Sequence, residues 1–278
     1  MELSASEIRQ AVQNALAEDI GSGDVTTLAT VPETVMARAD MRAREPLVVA
    51  GLAFAETAFT ELSTAVEIER LVRDGQPVQA DEILLRLAGP ARAILTAERV
   101  ALNFVQRLSG IATFTAQFVA AIQGTRAQIL DTRKTTPGLR LLEKRAAAAG
   151  GVTNHRMGLY DAILIKNNHI AAAGGVRAAM ERARASSNLP IEIEVRTRAE
   201  LAEALAAGAA HLLLDNLTPA QAAEWVREIA GRARVELSGG ITLENVRAYA
   251  ETGADFVSSG AITHSARAMD ISFRLELA

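Results

Sequence analysis

Six short apolar runs recur through the second half of this chain, roughly every 20 to 35 residues, with a helix-length segment between each pair. They are Gln128-Ile129-Leu130, 162–165, Ile191–Val195, His211-Leu212-Leu213-Leu214, Val235-Glu236-Leu237 and Phe256-Val257. Strand alternating with helix at this spacing predicts βαβ units and a parallel sheet. Six runs, with a seventh strand expected in the 109–125 region, suit an α/β barrel better than a small open sheet. A doubly wound sheet is the alternative.

In such a barrel the reactive groups project from the C-terminal ends of the strands. Here the runs end in, or carry, Asp131-Thr132-Arg133-Lys134, Lys166-Asn167-Asn168-His169, Glu192 and Glu194, Asp215-Asn216, Ser238-Gly239-Gly240 and Ser258-Ser259-Gly260. A random assortment would not put charged or glycine-rich groups at every one of these ends. Glycine lets backbone amides approach an anion closely, and a helix N-terminus behind the loop adds its dipole. Two such loops in succession, at Gly239-Gly240 and Ser259-Gly260, predict a phosphate site after the last two strands. Ordinary turn glycines are the competing reading.

Between residues 132 and 158 the chain carries Arg133, Lys134, Arg140, Lys144, Arg145 and Arg156 against a single Glu143, although its net charge is −4. Lys144 and Arg145 read as the solvated face of a helix starting near Pro137. Arg133, Lys134, His155 and Arg156 flank strands or sit in the glycine-led loop 150–158, so they can converge on one pocket. Guanidinium groups suit bidentate recognition of carboxylates, and lysines suit phosphate. Lys166 ends an apolar run, where an unpaired buried lysine is costly, so it is a site group or a salt-bridged one. Glu192 and Glu194 share one face of their strand, and Ile191, Ile193 and Val195 share the other. That turns the carboxylates inward. Glu194, nearer the C-terminal end, is the better site candidate, and Glu192 reads as a lower-layer partner of a basic residue. Asp215 with Glu194 can hold Mg²⁺ through water and substrate phosphates. His169, His211 and His264 lack metal-ligand spacing, and Trp225 reads as packing. No Ser/His/Asp triad, P-loop or dinucleotide fingerprint is present.

The first half reads differently. Ile8, Val12 and Leu16 share a helical face after Ser4 or Ser6 as cap, with Glu7 in the first turn. Residues 18–27 read as a glycine-rich acidic loop. Short strands over 35–42, 64–72 and 82–88, a turn at Asp74-Gly75 and a helix over 56–62 suggest a small α+β unit. Residues 91–122 turn helical, with a break expected at Ser109-Gly110. Aromatics at 4% and the negative net charge argue against nucleic acid or an anionic membrane as partner. Zero cysteines exclude disulfides and thiolate sites and suit a reducing cytoplasm. No run approaches the roughly 18 apolar residues of a membrane helix, and no signal-peptide core is visible, so a cytoplasmic location is expected.

At these positions the sequence resembles the quinolinate phosphoribosyltransferase family, also called nicotinate-nucleotide pyrophosphorylase (carboxylating). The matching segments are EDIGSGDVTT at 18–27, ERVALNFVQRLSGIAT at 98–113, DTRKTTPGLR at 131–140 and GGVTNHRMGLYDAILIKNNHI at 150–170. IEIEV at 191–195, LLLDN at 212–216, LSGGI at 237–241 and SSGAITHSA at 258–266 follow in order. A related group associated with molybdenum transport shares this layout but lacks the lysine where Lys166 stands. Asn167 and Arg196-Thr197 are departures from the family pattern, and neither removes a site group.

The resemblance implies an α/β fold. An N-terminal α/β sandwich (1–108, completed by 266–278) would be joined to an open seven-stranded α/β barrel (109–265). It implies a homodimer in which the N-terminal domain of one subunit closes the barrel mouth of the other. Arg133, His155, Arg156 and Lys166 would hold the two carboxylates of quinolinate, with Arg99 reaching in from the partner. Lys134, Lys166, Glu194 and Asp215 would serve phosphoribosyl pyrophosphate and Mg²⁺, and Ser238, Gly239, Gly240, Ser259 and Gly260 its 5′-phosphate. The activity implied is phosphoribosyl transfer to quinolinate with loss of CO₂, giving nicotinate mononucleotide for NAD synthesis. A Schiff-base aldolase using Lys166, or a non-enzymatic phosphosugar-binding protein, are the competing readings.

Overall fold

The fold is described from a computed structural model covering residues 4–277. Its first elements are α1 (Ala5–Ile20), α2 (Val25–Thr30), β1 (Met36–Ala43), β2 (Leu47–Val48), α3 (Leu52–Leu62), β3 (Glu67–Arg70), β4 (Pro77–Val78), β5 (Ile83–Pro90) and α4 (Ala91–Ala121). There follow β6 (Gln128–Leu130), α5 (Arg140–Ala149), β7 (Ile163–Ile165), α6 (Asn167–Ala173), α7 (Val176–Ser186), β8 (Ile191–Val195) and α8 (Arg198–Ala206). The chain ends in β9 (His211–Asp215), α9 (Pro219–Ile229), β10 (Arg234–Ser238), α10 (Val246–Ala250), β11 (Phe256–Ser258), α11 (Ala261–His264) and β12 (Ile271–Leu277). The chain divides into two units. One takes the chain up to Ala116, then Leu141–Gly151 and the segment from Ala266 onward; the other takes Gln117–Arg140 and Val152–Ser265. This division falls inside α4.

In the first unit an antiparallel sheet runs in the order β12-β1-β5-β3. The final strand therefore pairs along β1 from Ala37 opposite Leu277 to Ala43 opposite Ile271. Ser4 caps α1 in a full capping box with Glu7, and Val12 and Leu16 bury the inner face. Part of the expected acidic loop is helical, because Asp24 accepts from the Thr27 amide (2.9 Å) and starts α2. Phe59 of α3 stacks on Phe273 of β12 at 5.7 Å between ring centroids.

The helix α4 overturns two expectations. Residues 109–121 belong to it and form no seventh strand, and it does not break at Ser109-Gly110. Leu102, Val105, Leu108, Ile111 and Ala112 are buried at spacings of one to four, a helical period that a reading of short apolar runs misses. Gly110 costs about 1 kcal/mol of helix propensity. It is tolerated because a side chain there would collide with the carbonyl of Arg267.

The second unit holds six parallel strands in the order β6-β11-β10-β9-β8-β7, so the first strand lies beside the last. Beyond β6 the Thr153 backbone makes one parallel bridge to Leu130. All six sequence-predicted strands are present, within two residues at their ends. Ile193 and Val195 are buried on one face of β8 and Glu192 and Glu194 on the other, as a strand covered on both sides requires. Two local expectations fail. The helix expected near Pro137 starts at Arg140, after a turn in which Gly138 takes φ +79°. On that helix Lys144 is fully buried, not solvated, beside the equally buried Glu143, which Arg107 engages at 2.8 Å. Two charges three and four residues after Arg140 cannot both face solvent when this turn of α5 is packed into the first unit.

Candidate active site

The strand ends of the second unit bring the expected groups into one region of the chain's parallel sheet. β6 runs into Asp131, which is fully buried and accepts from the His155 amide (2.8 Å) and from Asn154 Nδ2 (2.6 Å). One buried carboxylate thus seats the loop that carries His155 and Arg156. Asp161 seats its far side by accepting from the amides of Met157 (2.7 Å) and Gly158 (3.0 Å). Arg156 itself donates to the Ala162 carbonyl at 3.1 Å.

Arg133 is half-buried, and its Nε is buried with no hydrogen-bond partner. Among the described residues no ion pair holds it. Burial, and then the charge of Arg133, keep Arg156 below the ordinary guanidinium value. Two guanidiniums close enough to repel each other, one with an unsatisfied buried donor, are what an anion would relieve. Lys166 caps α6 at the end of β7, where its amide donates to His169 Nδ1 (2.9 Å). Its side chain is exposed, which removes the argument from the cost of a buried lysine, and leaves it free to meet a ligand. Lys134 is also exposed, and its side chain passes over Gly260: a Cβ on that glycine would lie 2.6 Å from Lys134 Cδ.

The glycine loops are built for close approach. Gly239 takes φ +94° and Gly240 φ +62°, and a side chain at 239 would strike Asn216. No backbone acceptor within the described residues meets the amides of Gly239, Gly240 or Gly260. The side chain of Ser259 ties the two loops together by donating to the Ile241 carbonyl (2.8 Å). Ser238 ends β10 half-buried, its carbonyl accepting from the Asn216 amide at 2.9 Å. The expected helix dipole behind the first loop is weak, since α10 begins at Val246 and has 5 residues. Free amides, not a helix end, are the donors there.

Glu194 is buried, and its Oε1 accepts from Arg196 Nε (2.8 Å) and pairs with its NH2 (2.7 Å). Asp215 is half-buried and accepts from Asn216 Nδ2 at 2.6 Å. Each of these carboxylates therefore retains one oxygen without a described partner. Arg99 belongs to the first unit, where it is exposed on α4.

Beneath these groups lies a cluster that sequence reasoning found only in part. His155 Nε2 is 3.1 Å from Glu192 and 3.3 Å from Glu236, and His211 Nε2 is 3.4 Å from Glu192. Burial opposes a charge on His155, but the two carboxylates outweigh it and push the ring up to about 10. The Arg156 amide also donates to His155 Nδ1 at 2.7 Å, which needs a lone pair there. Two buried negative groups outweigh one neutral amide, so the ring is cationic at neutral pH and that contact belongs to the deprotonated form. Burial, and then the charge of Glu236, raise Glu192; burial would also raise Glu236, but His155 holds it low. In the sequence His211 reads only as a histidine without metal-ligand spacing, and Glu236 only as part of an apolar run. The signal for Glu236 was a charge inside the apolar run Val235-Glu236-Leu237.

A parallel α/β unit whose strand ends carry paired guanidiniums, exposed lysines and unfilled amide loops defines a protein for small, multiply anionic, phosphorylated ligands. The comparisons with known proteins are more specific. Residues 24–109 match the family model for the quinolinate phosphoribosyl transferase N-terminal domain and residues 111–274 that for its C-terminal domain. The chain belongs to this family. It is 41% identical over 273 residues to the probable nicotinate-nucleotide pyrophosphorylase [carboxylating] of Bacillus subtilis (strain 168), covering 98% of this chain and 94% of that one. The nicotinate-nucleotide pyrophosphorylase [carboxylating] of Mycobacterium leprae (strain TN) is 44% identical over 274 residues, 96% of each chain. The crystal structure of NadC from Streptococcus pyogenes superposes with a TM-score of 0.96 at 40% identity, covering 100% of this chain and 99% of that one.

Proposed function

We propose that the chain is a quinolinate phosphoribosyltransferase (decarboxylating), making nicotinate mononucleotide, pyrophosphate and CO₂ from quinolinate and phosphoribosyl pyrophosphate. The observation that carries the site assignment is the Arg133–Arg156 pair, mutually repelling and with a buried donor unfilled. Arg133, Arg156 and Lys166 receive the two carboxylates of quinolinate, with His155 seated beneath them. The free amides of Gly239, Gly240 and Gly260, framed by Ser238 and Ser259 and with Lys134 alongside, receive the 5′-phosphate. The N-terminal α/β sandwich and open seven-stranded barrel remain our reading of the two units, with Thr153 as the seventh position. We read the enzyme as a cytoplasmic homodimer in which the exposed Arg99 serves the partner's site.

The chemistry follows from where charge develops. The C1–O bond to pyrophosphate breaks, C1 becomes cationic, and the pyridine nitrogen supplies the new bond. Glu194, buried and negative, stabilises that cationic carbon. The quaternised ring then accepts the electron pair of the C2–carboxylate bond, CO₂ leaves, and a proton takes its place at C2. Asp215 and Glu194, each with one oxygen uncommitted, fit Mg²⁺, which takes one or two carboxylates and keeps waters. When bound, it neutralises charge on the departing pyrophosphate. The test is to supply quinolinate, phosphoribosyl pyrophosphate and Mg²⁺ and follow nicotinate mononucleotide by chromatography. Equimolar product and CO₂ are expected, and no product from folded protein that binds phosphoribosyl pyrophosphate would refute the assignment.

A further inference from the structure

Three adjacent strands each send one polar side chain beneath the carboxylate subsite: Glu192 from β8, His211 from β9 and Glu236 from β10. The register explains the convergence. Glu194 and Glu236 both lie opposite Leu213, and His211 is two residues earlier on the same face of β9. Glu236 is 1% exposed and Glu192 5% exposed. Two carboxylates buried side by side need a counter-ion or a shared proton, and the ring that meets both is His155. His155 is not on any of these strands. It comes from the loop of Asn154 to Gly158, and it is the residue immediately before Arg156.

We propose that Glu236 is a positioning residue for the carboxylate subsite: from below, it holds His155 in place and so fixes the Arg156 segment that receives the substrate. This rests on Arg156 belonging to that subsite. Glu236 does not meet the substrate, because its carboxylate lies under His155 and also accepts from Ser258, the residue that leads into the Ser259-Gly260 loop. The network is held by charge and not by complete hydrogen bonding. Glu192 Oε1, Glu236 Oε2 and His211 Nε2 are all buried without a hydrogen-bond partner. Removing one carboxylate therefore leaves the loop with half its anchor. Asp131 still holds the His155 amide, so the loop stays in place while its side chains lose their aim.

A divalent cation is the other occupant such donors suit, since His155, Glu192 and Glu236 offer atoms mutually within 4.8 Å. The His155 Nε2 proton between the two carboxylates takes that place and leaves no lone pair for a metal.

The experiment uses the full-length enzyme with Glu236→Gln, Glu236→Ala and, in parallel, Arg156→Gln, measuring KM for each substrate, kcat, melting temperature and bound metal. Glu236→Ala should raise the quinolinate KM roughly 10- to 100-fold, with kcat and the phosphoribosyl pyrophosphate KM within about threefold. Glu236→Gln, near-isosteric and keeping an oxygen beside Nε2, should fold and recover part of that loss. An unchanged quinolinate KM with a lowered melting temperature would reduce Glu236 to packing and overturn the proposal. So would a fall in kcat at unchanged KM, or stoichiometric metal in the purified enzyme. An unchanged quinolinate KM in Arg156→Gln would instead overturn the assignment of the subsite itself.

Discussion

Replacing Arg133 by glutamine should cut catalysis and stabilise the free protein at the same time. The Arg133 guanidinium makes no described contact that its loss would break, its Nε is buried without a partner, and its charge depresses Arg156. A charge-assisted hydrogen bond to a substrate carboxylate contributes about 1.5–3 kcal/mol, and a bidentate pair roughly 3–5 kcal/mol. Losing that pair predicts a fall in kcat/KM for quinolinate of about 10²- to 4 × 10³-fold. Relief of the repulsion predicts a higher melting temperature without ligand than in the parent. Steady-state kinetics with quinolinate varied, and thermal melts with and without it, measure both. The ligand-induced rise in melting temperature should shrink as the ligand-free value climbs. Activity within tenfold of the parent, or a loss of stability parallel to the loss of activity, would rule out Arg133 as a substrate anchor.

Two further outcomes follow from the geometry. Gly239→Ala places an L side chain at φ +94° against Asn216, so the loop must shift; the phosphoribosyl pyrophosphate KM should rise roughly tenfold or more while the quinolinate KM changes little. Equal change in both constants would argue against that loop as the phosphate site. His155 is raised from 6.5 to about 10 in the folded protein, so its stabilising effect is complete below about pH 6.5 and is lost as the pH rises through about 10. Denaturant unfolding should show a decline on the order of a few kcal/mol across that window, and His155→Gln should flatten it. A profile with the same slope in the variant would exclude His155 as its source.

The strand-and-end pattern was legible because parallel strands buried on both faces leave short, continuous apolar runs, and the polar residues that interrupt or end them stand out. Arg133, Lys134, Lys166 and Asp215 could be named on that basis alone. The helix α4 was harder: its Ser109-Gly110 pair looks like punctuation until the Arg267 carbonyl is placed against it, a contact 157 positions away that no local reading contains. Lys144 misled for the same reason, since its burial depends on what packs over α5. Glu236 was visible as a charge within an apolar run, but its meaning depended on His155 arriving from a distant loop. The pairing of Arg196 with Glu194 was likewise hidden, although alternation along a strand places residues two apart on one face.

The measurement that bears most directly on the account runs quinolinate and nicotinate side by side with phosphoribosyl pyrophosphate and Mg²⁺, following nicotinate mononucleotide and CO₂. The two acids differ in the 2-carboxylate, one of the two that the paired guanidiniums and Lys166 are assigned to receive. Product and equimolar CO₂ are expected from quinolinate, with nicotinate used roughly 10- to 100-fold less efficiently, the loss of one charge-assisted carboxylate contact. Comparable turnover of nicotinate would contradict it, because the cationic cluster at these strand ends would then be reading something other than a second carboxylate.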